Sequence, residues 1–115
     1  MDTRTKIVDA ARAADIAQFG ATIVSGAFDP MVASHADRLA SLKQTGRPLL
    51  VLITTPPNPI LDPRARAQLV AGLAVVDYVC DEPGALAAHV SLDAEHAARL
   101  RQLIEHVHAR QRATS

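Results

Sequence analysis

The stretch of this chain richest in potential chemistry is Ile23-Val24-Ser25-Gly26-Ala27-Phe28-Asp29-Pro30-Met31-Val32-Ala33-Ser34-His35. A glycine directly after an apolar, β-branched run lets the backbone pass close to a bound group. A helix opening a few residues later offers free N–H groups and a positive dipole end. Together these features make an anion cradle, with His35 in the opening turns of the helix as a donor to a phosphate. A plainer reading stands beside it: the glycine serves its own backbone dihedrals, and His35 is a polar residue at a helix entrance. The segment has neither the G-x-G-x-x-G of dinucleotide-binding folds nor the Gly-Lys-Ser/Thr of a P-loop, so dinucleotide binding and ordinary NTPase activity lose support.

Other reactive side chains are less organised. His89, His96, His106 and His108 have no metal-ligand spacing, and no metal site is expected. His106 and His108 are two apart and point to different helix faces. Lys43 and Arg47 have the reach for a phosphate but fit a solvated face better, as does Arg64. Asp29 and Asp77 suit loop and strand-end ordering. Cys80 ends the apolar stretch VVDYVC, which makes it a core thiol rather than a nucleophile.

The elements that must position these residues follow from periodicity. Apolar residues keep a helical spacing over residues 5–18, stopped by Gly20, and a buried strand follows at 21–25. Gly26 to Pro30 is turn chemistry, and helical spacing returns over 31–44 through Val32, His35, Leu39 and Leu42. Leu49-Leu50-Val51-Leu52-Ile53 is apolar without alternation, the pattern of a central parallel strand covered on both faces. Two such strands joined by a helix make a right-handed crossover. The proline-rich loop TTPPNP then lies at a strand's C-terminal end, where open α/β sheets place ligands. Asp62-Pro63 starts a helix over 64–74, and 75–80 is a third strand. Residues 85–92 suit either a short helix or a short edge strand. Ser91 or Asp93 caps a final helix over about 92–111, supported by an i,i+4 pair of Glu95 with Arg99, and the polar tail from 109 frays. The fold class is α/β: a three-layer α/β/α sandwich with a parallel sheet.

Composition agrees. A length of 115 residues suits one domain, with its core at about 20–80. Hydrophobic residues make up 49% and charged ones 21%, which excludes wholesale disorder. Twelve basic residues balance twelve acidic ones and aromatics are only 3%, so neither nucleic acid nor an anionic membrane is an expected partner. The longest apolar run is strand-sized, no signal-peptide core opens the chain, and a lone cysteine suits a reducing compartment; a cytoplasmic location is expected.

Gly26-Ala27-Phe28-Asp29, a spacer and then His35 resemble the G-x-F-D-x-x-H-x-G-H signature of the cytidylyltransferase-like nucleotidylyltransferases. That group includes glycerol-3-phosphate cytidylyltransferase and the nucleotidylyltransferase domain of ADP-heptose synthases. The stretch from Arg66 through Val76-Asp77-Tyr78-Val79 is similar to the family's arginine-led helix running into a V-D-Y-V strand. The two motifs cover about residues 21–80. The resemblance implies a Rossmann-like sheet binding a nucleoside triphosphate, CTP or ATP, at its strand ends. A phosphorylated small molecule, such as a sugar or polyol phosphate, would attack the α-phosphorus with Mg²⁺ assisting. It implies phosphate contacts from Gly26, Ala27, Phe28, Asp29, Ser34 and His35, with His35 as the catalytic donor and Arg66 facing the nucleotide. It also allows a homodimer, since relatives pair.

The motif is degenerate. Val32 stands at the first signature histidine and Ser34 at the signature glycine, and the family's later I-S-S/T-T-x-I/V-R phosphate motif has no counterpart after Cys80. Loss of one preorganised donor costs about 10²–10³ in rate. Three readings follow: a nucleotidylyltransferase with weakened phosphate contacts, a catalytically degenerate nucleotide-binding or regulatory module, and a dimerising interaction protein without a ligand.

Overall fold

The five residues Leu49–Ile53 carry no polar side chain, and they form the strand around which the rest is built. The computed structural model of the chain describes residues 3–29, 31–84, 86–95, 98, 101–102 and 104–105. Its strands are β1 (Ile7–Val8), β2 (Thr22–Gly26), β3 (Leu49–Ile53), β4 (Tyr78–Cys80) and β5 (Val90–Ser91); its helices are α1 (Ala10–Gln18), α2 (Ala33–Leu42) and α3 (Pro63–Ala71). All strand pairs are parallel, in the order β1-β4-β3-β2-β5. The register runs from Thr22 opposite Leu49 to Gly26 opposite Ile53, so β2 and β3 end together.

Every residue of β3 is buried because both faces are covered. Leu49, Val51 and Ile53 pack with Leu39 of α2 and Ala67, Val70 and Ala71 of α3; Leu50 and Leu52 pack with Ala13 and Ile16 of α1. That is the expected three-layer Rossmann-like sandwich, with two helices on one face and one on the other. Among the described residues, no helix is long and apolar enough to cross a membrane.

Several boundaries differ from the periodicity, for identifiable reasons. The first helix does not begin at residue 5: a 3-10 turn, Thr3–Lys6, precedes β1, where Ile7 and Val8 pair with Val79 and Cys80. Asp9 then caps α1 by accepting from the Arg12 N–H at 2.8 Å. The helix ends at Gly20, whose φ of +99° suits glycine alone. The third strand is shorter than the apolar run because Asp77 is held elsewhere. Its carboxylate accepts from the Leu49 N–H at 2.7 Å and from Lys43, binding the N-terminal ends of β3 and β4 to the end of α2. Within the open stretch at residues 85–92, Val90–Ser91 forms an edge strand and a helix starts at Leu92. Ser91, not Asp93, caps that helix by accepting from the Ala94 N–H at 3.2 Å. Residues 106–115, and with them the expected end of the helix and the polar tail, lie outside the described residues, as does Arg99 of the expected pair with Glu95. Glu95 holds Arg38 of α2 through two hydrogen bonds, at 2.8 and 3.1 Å, which raises the already high Arg38 pKa.

Candidate functional site

Topology selects one location. From β2 the chain moves through β3 to β4 on one side, with α2 and α3 on one face, whereas β5 pairs on the opposite side of β2. The order therefore reverses between β2 and β5, and ligands of open α/β sheets bind in the crevice beyond the strand ends at such a switch point. A cavity of about 300 Å³ lies there, lined by Ala27, Phe28, Val32, Ser34, His35, Leu92 and Asp93. Its volume is at the small end of the usual range for small-molecule sites, about 300–1,000 Å³. Four of the seven residues expected at the site line this cavity: Ala27, Phe28, Ser34 and His35.

His35 is the third residue of α2. Val32, at the N-cap, has no side-chain acceptor, and His35 answers by accepting from the Val32 N–H through Nδ1 at 3.2 Å. An Nδ1 that accepts carries no proton, so this arrangement belongs to the neutral imidazole. The ring is half-buried against Phe28, edge to face, with centroids 5.4 Å apart. Phe28 itself is buried and sits at φ +51°, an unfavourable conformation for a bulky side chain that turns its ring back beneath the strand end. That explains Gly26: a Cβ there would stand 2.8 Å from Cε2 of Phe28. The close approach that requires glycine is to the protein's own phenyl ring.

The expected anion cradle holds a protein carboxylate. The Ala27 N–H donates to Oδ1 of Asp93 at 3.1 Å, and the Thr54 hydroxyl donates to Oδ2 at 2.7 Å. Asp93 lies in the first turn of the helix that follows β5, a favourable end for a carboxylate. It thus closes the gap between the C-terminal ends of β2, β3 and β5.

Asp29 and Arg66 work behind this surface. Asp29 accepts from the Ile60 and Leu61 N–H groups, both at 2.7 Å, and so fixes the far end of the proline-rich loop. Arg66 is fully buried on α3 and donates to the carbonyls of Leu61 at 3.1 Å, Ala27 at 3.0 Å and Thr54 at 2.6 Å. Its Nη2 is buried without a hydrogen-bond partner. Arg66 and Asp93 therefore grip Ala27 and Thr54 from opposite sides, the guanidinium on their carbonyls and the carboxylate on their donors.

The remaining candidates lie elsewhere. Lys43 is committed to Asp77 at the opposite end of the sheet. Arg64 is exposed, 3.5 Å from Asp81. His89 accepts from the Ile23 N–H through Nδ1 at 3.2 Å, extending the edge of β2, and His96, His106 and His108 lie outside the described residues. Cys80 is buried, and desolvation raises its thiol pKa, opposed by a backbone hydrogen bond from Glu82. A second hollow of about 580 Å³ opens at the ends of β3 and β4, between Thr54-Thr55 and Asp81-Glu82, and holds none of the expected site residues.

Sequence reasoning gave Leu92 no site role, read Asp93 only as a helix cap and reached Thr54 only through its loop. The available signal was positional: Val90-Ser91-Leu92-Asp93 is a short strand running into a helix, the same junction as Ser25 to His35, and two such junctions flank a switch point. Among the described residues no group of three His, Cys, Asp or Glu side chains comes together as a metal site. Among the described residues the cavity presents one carboxylate, Asp93, already bound by the Ala27 N–H and the Thr54 hydroxyl, and this donor set does not fit the Mg²⁺ that the resemblance implies. Compared with protein-family models, with curated proteins and with solved structures, the chain matches none.

Proposed function

We propose that the chain is a small-ligand-binding module on a cytidylyltransferase-like framework, taking its ligand in the crevice between β2 and β5 without performing nucleotidyl transfer. The observation that carries this reading is the coincidence of the cavity with the topological switch point, walled by the turn after β2, the start of α2 and the start of the helix after β5. Binding needs a preformed hollow, and here it is preformed: Phe28 forms an apolar wall, His35 is fixed by Val32, and Ala27 is fixed by Arg66 and Asp93. Transfer needs preorganised donors aimed at a triphosphate. Val32 offers none, the Ala27 N–H is spent on Asp93, and Arg66 is buried behind the carbonyls it donates to.

The test is a thermal-shift panel of nucleosides, nucleotides and sugar and polyol phosphates, run beside an assay for pyrophosphate release from CTP and ATP with Mg²⁺. Binding to the native state stabilises it by mass action, about 2.7 kcal/mol at a hundredfold excess over Kd, a shift of several degrees in a domain of this size. The expected result is a shift with at least one ligand class and no pyrophosphate release. Turnover abolished by His35→Ala would restore the transferase reading. No shift with any class, together with a dimer in solution, would favour an interaction protein.

A further inference from the structure

Resting on the binding reading above, we infer that Asp93 sets the class of ligand: the crevice takes an uncharged molecule bearing a vicinal diol, for which a nucleoside is the probe, and rejects an anionic one such as the triphosphate. Among the described residues, the cavity lining holds one carboxylate and no lysine or arginine, and Nδ1 of its histidine is taken up as an acceptor for the Val32 N–H. The Arg66 guanidinium is sealed from solvent behind Ala27 and Thr54, and that of Arg38 is held by Glu95. A phosphate entering the turn after β2 meets Asp93 on the Ala27 N–H it would need, like charge against like charge. A hydroxyl meets the opposite situation. A carboxylate has about four acceptor positions; Ala27 and Thr54 occupy one on each oxygen of Asp93, which leaves acceptors on both oxygens for a vicinal diol. Phe28, Val32 and Leu92 supply the apolar part of the lining, suited to the body of a ligand whose polar edge is uncharged.

The experiment is isothermal titration of the intact chain with adenosine, cytidine, ATP and CTP, the triphosphates with and without Mg²⁺, repeated on Asp93→Asn. In the wild type the better nucleoside binds at least tenfold more tightly than its triphosphate. In Asp93→Asn, an isosteric change whose amide oxygen still accepts from the Ala27 N–H while the Thr54 hydroxyl turns to accept from the amide nitrogen, the ratio falls by about tenfold or reverses. A triphosphate binding the wild type as tightly as its nucleoside overturns the inference and leaves the site reading intact. Absence of binding by all four overturns the inference, while the site reading falls only if the sugar and polyol phosphates of the thermal-shift panel fail as well. The wild-type ratio decides the matter even if Asp93→Asn fails to fold.

Discussion

Gly26 and Phe28 show how one pair of residues carries both a motif and a packing constraint. The glycine reads in sequence as room for a ligand, yet the room is taken by the phenyl ring two residues on. Gly26→Ala should therefore cost stability rather than ligand affinity alone, about 1–3 kcal/mol by overpacking, measured as a lower urea midpoint with unchanged m-value. Cys80 offers a second test at this scale. Burial raises its thiol pKa in the folded chain above that in the unfolded chain, about 8.5. The linked stability is fully present below the unfolded value and is lost as pH rises through the folded one. The unfolding free energy of the wild type should fall more steeply above pH 8.5 than that of Cys80→Ala, and a thiol reagent should label the native chain only as fast as it opens. Equal slopes would mean that the thiol ionises alike in both states.

At the scale of elements, the legible parts were those fixed by local pattern. The unbroken apolar run of β3, the Asp62-Pro63 start of α3 and the stop at Gly20 each follow from side-chain chemistry within a few residues. The illegible parts depend on partners distant in the chain. Ile7 and Val8 leave the helical pattern because β4, some seventy residues later, offers an edge to pair with. Asp77 shortens its strand because it serves the Leu49 N–H and Lys43. Asp93 reads as a cap and is instead a cross-strand acceptor, since Ser91 already supplies the cap. The site was legible to the same degree: Ala27, Phe28, Ser34 and His35 follow from one junction, whereas the residues contributed by the other junction need the strand order. Asp77→Ala should remove a charge-assisted hydrogen bond worth about 1.5–3 kcal/mol. Hydrogen exchange should localise the weakening to Leu49 and the start of β4, and uniform protection loss across the sheet would contradict this assignment.

Across the whole molecule, the buried Arg66 ties together the loops at the C-terminal ends of the strands. Arg66 joins the turn after β2, the end of β3 and the loop before α3 through three carbonyls. Arg66→Met fills a similar volume but leaves those carbonyls unsatisfied, so stability should drop by roughly 3 kcal/mol or more and ligand binding with it. A variant of wild-type stability would mean that the guanidinium is dispensable to the framework. The most direct test of a ligand crevice between β2 and β5 is a two-dimensional amide NMR titration with a nucleoside. The expected result is saturable shifts clustered at Ala27, Phe28, His35 and Asp93, with the N-terminal strand ends around Leu49 and Asp77 unmoved. Shifts confined to Thr55 and Glu82 at the neighbouring hollow, or no saturable shift at all, would contradict it.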